Sequence, residues 1–141
     1  MAEGIERPSV YLETTIPSYL AADPSRDLVI AAHQQITRDW WRDAGKRYLL
    51  YVSVPVMTEI SAGDSDVSTR RRALVDQLPL LTMNDDVRTL QDIYVRRLGL
   101  TGRAVSDVPH IAFAVAYRMD YLVTWNCAHQ WRGDSEIDGG Q

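Results

Sequence analysis

Apolar positions along the chain fall into short dense runs separated by longer stretches at helical spacing. Val10-Tyr11-Leu12 is a short apolar strand that stops at polar Glu13-Thr14-Thr15, and Pro17 then fits the first turn of a short helix. Asp23-Pro24-Ser25 forms a turn and offers an N-cap. Over residues 26–46, Leu28, Ile30, Ala31, Ile36, Trp40 and Trp41 recur near helical spacing, which predicts a long amphipathic helix ended by Gly45. Residues 48–54 are β-branched and aromatic and read as a buried strand. Pro55 opens a helix carrying Val56, Met57, Glu59 and Ile60, closed by Ala62-Gly63, and residues 66–77 read as another. Residues 78–83 are a third strand, and Asn84-Asp85-Asp86 caps a helix that continues to about Leu98. Ser106-Asp107, with Pro109 just after, starts a helix over 108–118. Residues 121–124 are a fourth strand, short and nearly all apolar, as expected of a parallel strand covered on both faces. Strands alternating with helices in this order predict a layered α/β domain with a central, mainly parallel sheet. It spans residues 1–131, and the polar, glycine-rich stretch 132–141 reads as a mobile tail.

Composition narrows the function classes. A chain of 141 residues suits one compact domain. Its hydrophobic share of 45% and charged share of 24% are globular values, which removes collagen-like and disordered readings. The net charge of −4 argues against nucleic-acid binding through bulk positive charge, but not against an acidic site that meets phosphate through a metal. No apolar run reaches the roughly 18–20 residues a membrane helix needs. Residues 1–6 lack the pattern of a secretion signal, so a cytoplasmic protein is expected. Cys127 is the single cysteine, which excludes an intrachain disulfide or a zinc ribbon. Lys46 is the single lysine, and a P-loop around it fails because Trp40 and Arg47 stand where glycine and a hydroxyl belong. Gly-x-Gly-x-x-Gly and Gly-x-Ser-x-Gly are absent, and His33, His110 and His129 are too far apart for a His-Glu-x-x-His zinc site.

The remaining chemistry is acidic. In open α/β sheets, ligands bind beyond the carboxyl ends of the strands. Glu13, Thr14 and Thr15 follow the first strand, and Thr124 and Asn126 follow or end the fourth. Glu59 lies about one turn into the helix after Pro55, and Asp107 begins the helix before the fourth strand. Glu13, Glu59, Asp107 and Asn126 can therefore converge on one rim, whereas Asp120 starts the fourth strand about 13 Å away. Carboxylates without a cation repel one another, and a hard divalent ion such as Mg²⁺ or Mn²⁺ offsets that cost. Such a site suits metal-assisted phosphodiester hydrolysis. Arg70-Arg71-Arg72 and Arg96-Arg97 could hold the flanking strand of a nucleic acid.

Each residue also has a plain structural reading. Asp107 can be a helix N-cap, Glu59 a solvent-facing helix residue, Glu13 a turn cap, and Asn126 a turn residue. Arg70-Arg71-Arg72 can be a solvated helix face, Trp40 and Trp41 can pack into a core, and Cys127 can be an incidental thiol. His110 shares a helix face with Asp107 at a spacing of three, and reads more simply as a satisfied structural histidine.

Residues 10–20, Val-Tyr-Leu-Glu-Thr-Thr-Ile-Pro-Ser-Tyr-Leu, resemble the opening of PIN-domain proteins. Asp107-Val108-Pro109-His110-Ile111-Ala112, with Thr124-Trp125-Asn126-Cys127-Ala128-His129, is similar to the late motif of that family. The likeness is to the VapC toxin type and covers roughly residues 9–129. It implies a PIN-like, Rossmann-like three-layer α/β/α sandwich with strand order 3-2-1-4-5. It also implies a Mg²⁺- or Mn²⁺-dependent endoribonuclease acting on RNA, homodimeric and held by a cognate antitoxin. Carried over by position, Glu13, Glu59 and Asp107 are the acidic metal ligands, Asn126 is the fourth site residue, and Thr15 and Thr124 are supporting hydroxyls. Three features stand out against the family pattern. The usual first ligand is aspartate, and the extra methylene of Glu13 moves its carboxylate by about 1.5 Å and is expected to loosen its orientation. The neutral Asn126 limits the site charge to that of Glu13, Glu59 and Asp107. Relatives continue past the His129 position with a helix and a fifth strand, so the fourth strand is expected at an open edge unless a partner covers it.

Two other readings compete. A degenerate PIN fold could bind RNA or an antitoxin without cutting, which the Glu13 change favours. A phospho-accepting receiver domain would need a lysine after a late strand, and Lys46 precedes the second.

Overall fold

The computed structural model describes residues 6–99 and 103–126. Four parallel strands lie in the order β3-β2-β1-β4: β1 (Ser9–Leu12), β2 (Leu49–Ser53), β3 (Leu80–Leu81) and β4 (Tyr121–Val123). Six helices connect them: α1 (Thr15–Ala21), α2 (Leu28–Arg47), α3 (Val54–Ile60), α4 (Ser65–Val75), α5 (Asp85–Leu98) and α6 (Arg103–Ala116). The expected α/β class and parallel sheet are what the chain adopts. The positions of any fifth strand, Cys127, His129 and the tail lie outside the described residues.

Strand β1 is interior, with β2 and β4 on its two flanks. Val10, Tyr11 and Leu12 are all buried. Because consecutive strand residues point to opposite faces, burial of all three requires cover on both sides. Tyr11 meets His110 of α6 on one face, so Val10 and Leu12 look to the other. The helices sort accordingly, with α5 packed on α6 and α1 packed on both α2 and α4. Phe113 and Ala112 of α6, Val56 and Ile60 of α3, and Val75 and Val87 complete the core.

Sheet order sets the location of the crevice. The chain runs outward from β1 through β2 to β3, then returns to place β4 on the other flank of β1. The order therefore reverses between β1 and β4, and their carboxyl ends bound the crevice where α/β ligands sit. Register holds this flank, with Val10, Tyr11 and Leu12 opposite Tyr121, Leu122 and Val123. At the other end, Asp120 Oδ2 accepts from the Ser9 amide (2.8 Å) and hydroxyl (3.1 Å). Asp120 is thus a clamp at the strand start, away from the rim, as its sequence position implied.

Several boundaries differ from the sequence pattern. Gly45 lies inside α2, which continues to Arg47, and the N-cap is Asp27, whose carboxylate accepts from the Val29 and Ile30 amides. Strand β3 shrinks to two residues, and Pro79, which has no N–H, ends the ladder on its N-terminal side. Helix α6 begins at Arg103, ahead of the Ser106-Asp107-Pro109 signal. Pro109 therefore lies inside the helix, past its first turn, where it lacks the N–H for a backbone bond, so it does not mark the helix start as its usual first-turn preference suggests. Asp107 is therefore within the helix and is not its N-cap. Trp40 and Trp41 pack against the core, as the plain reading held.

Candidate active site

Glu13 stands one residue beyond β1 and is buried at 4% exposure. Its Oε1 accepts from the Thr15 amide (3.0 Å), the Thr15 hydroxyl (2.5 Å) and the Thr124 hydroxyl (2.8 Å). Its Oε2 accepts from Asn126 Nδ2 at 3.4 Å. The two hydroxyls are themselves oriented: Thr15 Oγ1 accepts from the Trp125 amide and Thr124 Oγ1 from the Asn126 amide, each at 3.0 Å. The ends of β1 and β4 are so laced together around one carboxylate. The expectation that the longer side chain leaves this carboxylate loosely oriented is not met, because four donors hold it. These donors, from Thr15, Thr124 and Asn126, are all neutral, so none of them cancels its charge.

Asp107, on the second turn of α6, borders a small cleft of about 20 Å³ together with Glu13, His110, Thr124 and Asn126. The spacing of three between Asp107 and His110 places both on the face that meets the crevice. Glu59 approaches from α3. Ser53 ends β2 and caps that helix, its Oγ accepting from the Val56 amide at 3.4 Å, and Pro55 fits the first turn. Glu59 Oε1 pairs with His110 Nε2 at 3.0 Å, and Oε2 accepts a hydrogen bond from Thr14. Partial burial works to raise the Glu59 carboxyl. The hydrogen bonds from His110 and Thr14 overcome it, so the group sits below the usual glutamate range.

Behind Glu59 lies a buried polar chain that sequence reasoning did not find. Tyr11 Oη is 2.7 Å from His110 Nδ1 and 2.6 Å from Ser53 Oγ, and all three residues are buried. Burial pushes the Tyr11 phenol up, and the nearby carboxylates of Glu59 and Glu13 add to this against the Ser53 hydrogen bond, so the phenol keeps its proton. The sequence carries a weak signal for it, a tyrosine in an otherwise aliphatic interior strand. His110 is indeed satisfied on both nitrogens, yet it also touches the site.

The chain matches solved structures at the level of fold. It superposes on a chain of the VapBC2 complex from Rickettsia felis, crystallised bound to a DNA fragment from their promoter. The TM-score is 0.63 at 15% identity, over 86% of this chain and 90% of that one. The chain has a PIN-like fold. No family model and no curated protein matches its sequence.

Within this PIN-like fold, ligand atoms of Glu13, Glu59 and His110 lie within 4.8 Å of one another, a set that could hold a metal ion. Two like charges at that separation repel by at least about 3 kcal/mol at an effective dielectric near 20. Octahedral bonds of roughly 2.1 Å put adjacent ligand atoms about 3.0 Å apart and opposite ones about 4.2 Å apart. The spacing of the Glu13 and Glu59 carboxylates is thus compatible with a single divalent ion. Glu13, Asp107, Thr124 and Asn126 meet at one cleft, and Glu59 adjoins it through His110. Arg70 lies 3.5 Å from Asp23, the Arg71 Nε is buried without a hydrogen-bond partner, and Arg72 is exposed. Among the described residues, no helix is long and apolar enough to cross a membrane.

Proposed function

We propose that the chain is a Mg²⁺- or Mn²⁺-dependent endoribonuclease of the toxin–antitoxin kind, hydrolysing RNA phosphodiester bonds. The observation that carries this reading is the buried Glu13 carboxylate at the β1/β4 crevice, held by neutral donors, with a Glu59 oxygen within 4.8 Å and Asp107 lining the same cleft. Glu13, Glu59 and Asp107 are the ligands. Asn126 completes the site, and Thr15 and Thr124 hold the first ligand in place.

A bound divalent ion supplies Lewis-acid stabilisation of charge developing on a phosphoryl oxygen and makes a water molecule more acidic. The chain's own residues supply orientation. Thr15 and Thr124 fix the Glu13 carboxylate, so no reorganisation is needed as charge develops. The donors on Glu59 keep it ionised, and an ionised carboxylate is the form that binds a hard cation. Asn126 presents an amide at the same rim, able to meet a phosphate oxygen without adding negative charge. Arg70 and Arg72 stand exposed on α4, where they can contact a flanking phosphate. A cognate antitoxin and a homodimer are the partners this reading assigns, and the neighbour's crystallisation within a VapBC complex is what favours an antitoxin.

The test is incubation of the purified chain with structured RNA and Mn²⁺, with and without chelator, beside an Asp107→Ala variant. Chelator-sensitive cleavage that the variant lacks is expected. Cleavage unchanged in the variant would remove the site assignment. No cleavage by either folded protein would favour a binding protein of the same fold.

A further inference from the structure

The Ser53–Tyr11–His110–Glu59 chain has a direction that hydrogen accounting fixes. Ser53 Oγ already accepts from the Val56 amide, and among the described residues the acceptor its own hydrogen meets is Tyr11 Oη. Ser53 is fully buried, so water offers no alternative. With Ser53 donating to Tyr11, the phenol hydrogen turns to His110 Nδ1 at 2.7 Å. Nδ1 is then the acceptor nitrogen of a neutral imidazole, and the ring proton sits on Nε2. Nε2–H points at Glu59 Oε1, 3.0 Å away, where a carboxylate is an acceptor and nothing else. The reverse direction would orphan the Ser53 hydrogen and set the Nε2 lone pair against a carboxylate oxygen.

We infer that Ser53, Tyr11 and His110 form a one-way donor chain ending on Glu59, which makes His110 the positioning residue of that carboxylate and not a ligand of the metal. The nitrogen of the Glu13–Glu59–His110 group is committed to a proton. The residue acts through Glu59, in the way that outer partners of a metal ligand orient it. Thr14 holds the second oxygen, so Glu59 is fixed from two elements, α6 and the β1–α1 junction. The inference rests on the metal-site reading above for what Glu59 does, but not for the tautomer.

The experiment has two arms. Long-range ¹H–¹⁵N correlation spectra of the labelled full chain at mildly alkaline pH read the His110 ring nitrogens, assigned by their absence in His110→Gln. A protonated Nε2 with an unprotonated Nδ1 is expected, both without metal and with saturating Mg²⁺. Tyr11→Phe should give a mixture of tautomers. The second arm is Mg²⁺ affinity by calorimetry. His110→Gln retains an N–H donor near the Nε2 position and should bind within a few-fold of wild type, whereas His110→Ala should lose roughly 10–100-fold. An Nδ1–H tautomer in the wild type, a Mg²⁺-dependent shift of Nε2 as large as coordination gives, or His110→Gln no better than His110→Ala would each overturn the inference. Failure of the wild-type chain to bind Mg²⁺ or Mn²⁺ would overturn the metallonuclease reading, while the nitrogen spectrum would still decide the donor chain.

Discussion

The Thr124 hydroxyl donates to Glu13 Oε1 at 2.8 Å, joining the carboxyl end of β4 to that of β1 across 111 residues of sequence. The same oxygen accepts from the Asn126 amide, so one hydroxyl both aims the carboxylate and shapes the turn that carries Asn126. Thr124→Val keeps the shape and removes both roles. Mg²⁺ affinity measured by calorimetry should fall about tenfold, the scale of an outer partner of a metal ligand. Stability in urea should fall by about 1 kcal/mol, the net value of an ordinary hydrogen bond. An unchanged affinity would mean that Glu13 is held well enough by Thr15 and Asn126.

The length of the Glu13 side chain can be tested directly. Its carboxylate reaches Thr15, Thr124 and Asn126 together. Glu13→Asp draws it back by about one C–C bond and breaks at least the long 3.4 Å contact to Asn126. Weaker Mg²⁺ binding is expected, together with weaker cleavage if the chain cuts RNA. Tighter binding in the variant would show instead that the surrounding donors are set for the shorter acid.

How much of this was legible in the sequence depends on distance along the chain. Glu13, Thr124 and Asn126 could be placed at one rim because they follow strand ends, which share an edge of the sheet, and Asp107 because it lies in the N-terminal half of the helix before β4. The Ser53–Tyr11–His110 chain could not, because its members come from β2, β1 and α6, and their side-chain directions depend on register that no local pattern encodes. Tyr11 and Tyr51 face each other across β1 and β2 in the ladder, yet Tyr11 bonds Ser53, two residues further along. Local signals also misplaced ends, as at Gly45, at the start of α6 and at β3.

Acid should act on the fold through Glu59. A carboxyl whose folded-state pKa lies below its unfolded value contributes stability that is fully present above the unfolded range. That stability is lost as pH falls through the folded value. Glu59 is such a group, although about two-fifths exposure of its side chain screens the effect. Urea midpoints followed from neutral to acid pH should fall less steeply in Glu59→Gln than in wild type. Equal slopes would assign the acid sensitivity to other carboxylates.

Two substitutions of opposite kind should both stabilise the chain while leaving the site untouched. Gly45 lies in the last turns of α2, and a Cβ there would meet nothing within 4 Å. Glycine in a helix costs about 0.5–1 kcal/mol relative to alanine, through backbone entropy in the unfolded chain, so Gly45→Ala should recover about that much. Arg118 presents the converse case. It follows α6 with φ of 56°, a left-handed conformation that a Cβ disfavours. Its amide bonds the Val115 carbonyl, and the next amide, of Met119, bonds the Ala114 carbonyl. That pairing is the Schellman closure, in which glycine is the usual residue at the left-handed position. Arg118→Gly should therefore relieve more strain than the glycine adds in unfolded-state entropy, for a net gain of up to about 1 kcal/mol. The two positions lie at the ends of different helices, and neither substitution removes a backbone hydrogen bond, so their effects should largely add. The double variant should melt several degrees higher, roughly 3–8 °C for a domain of this size. Stabilisation by Gly45→Ala but not by Arg118→Gly would mean that the Arg118 side chain, which borders a large cleft with Arg7 and Asp120, contributes contacts that offset its backbone strain.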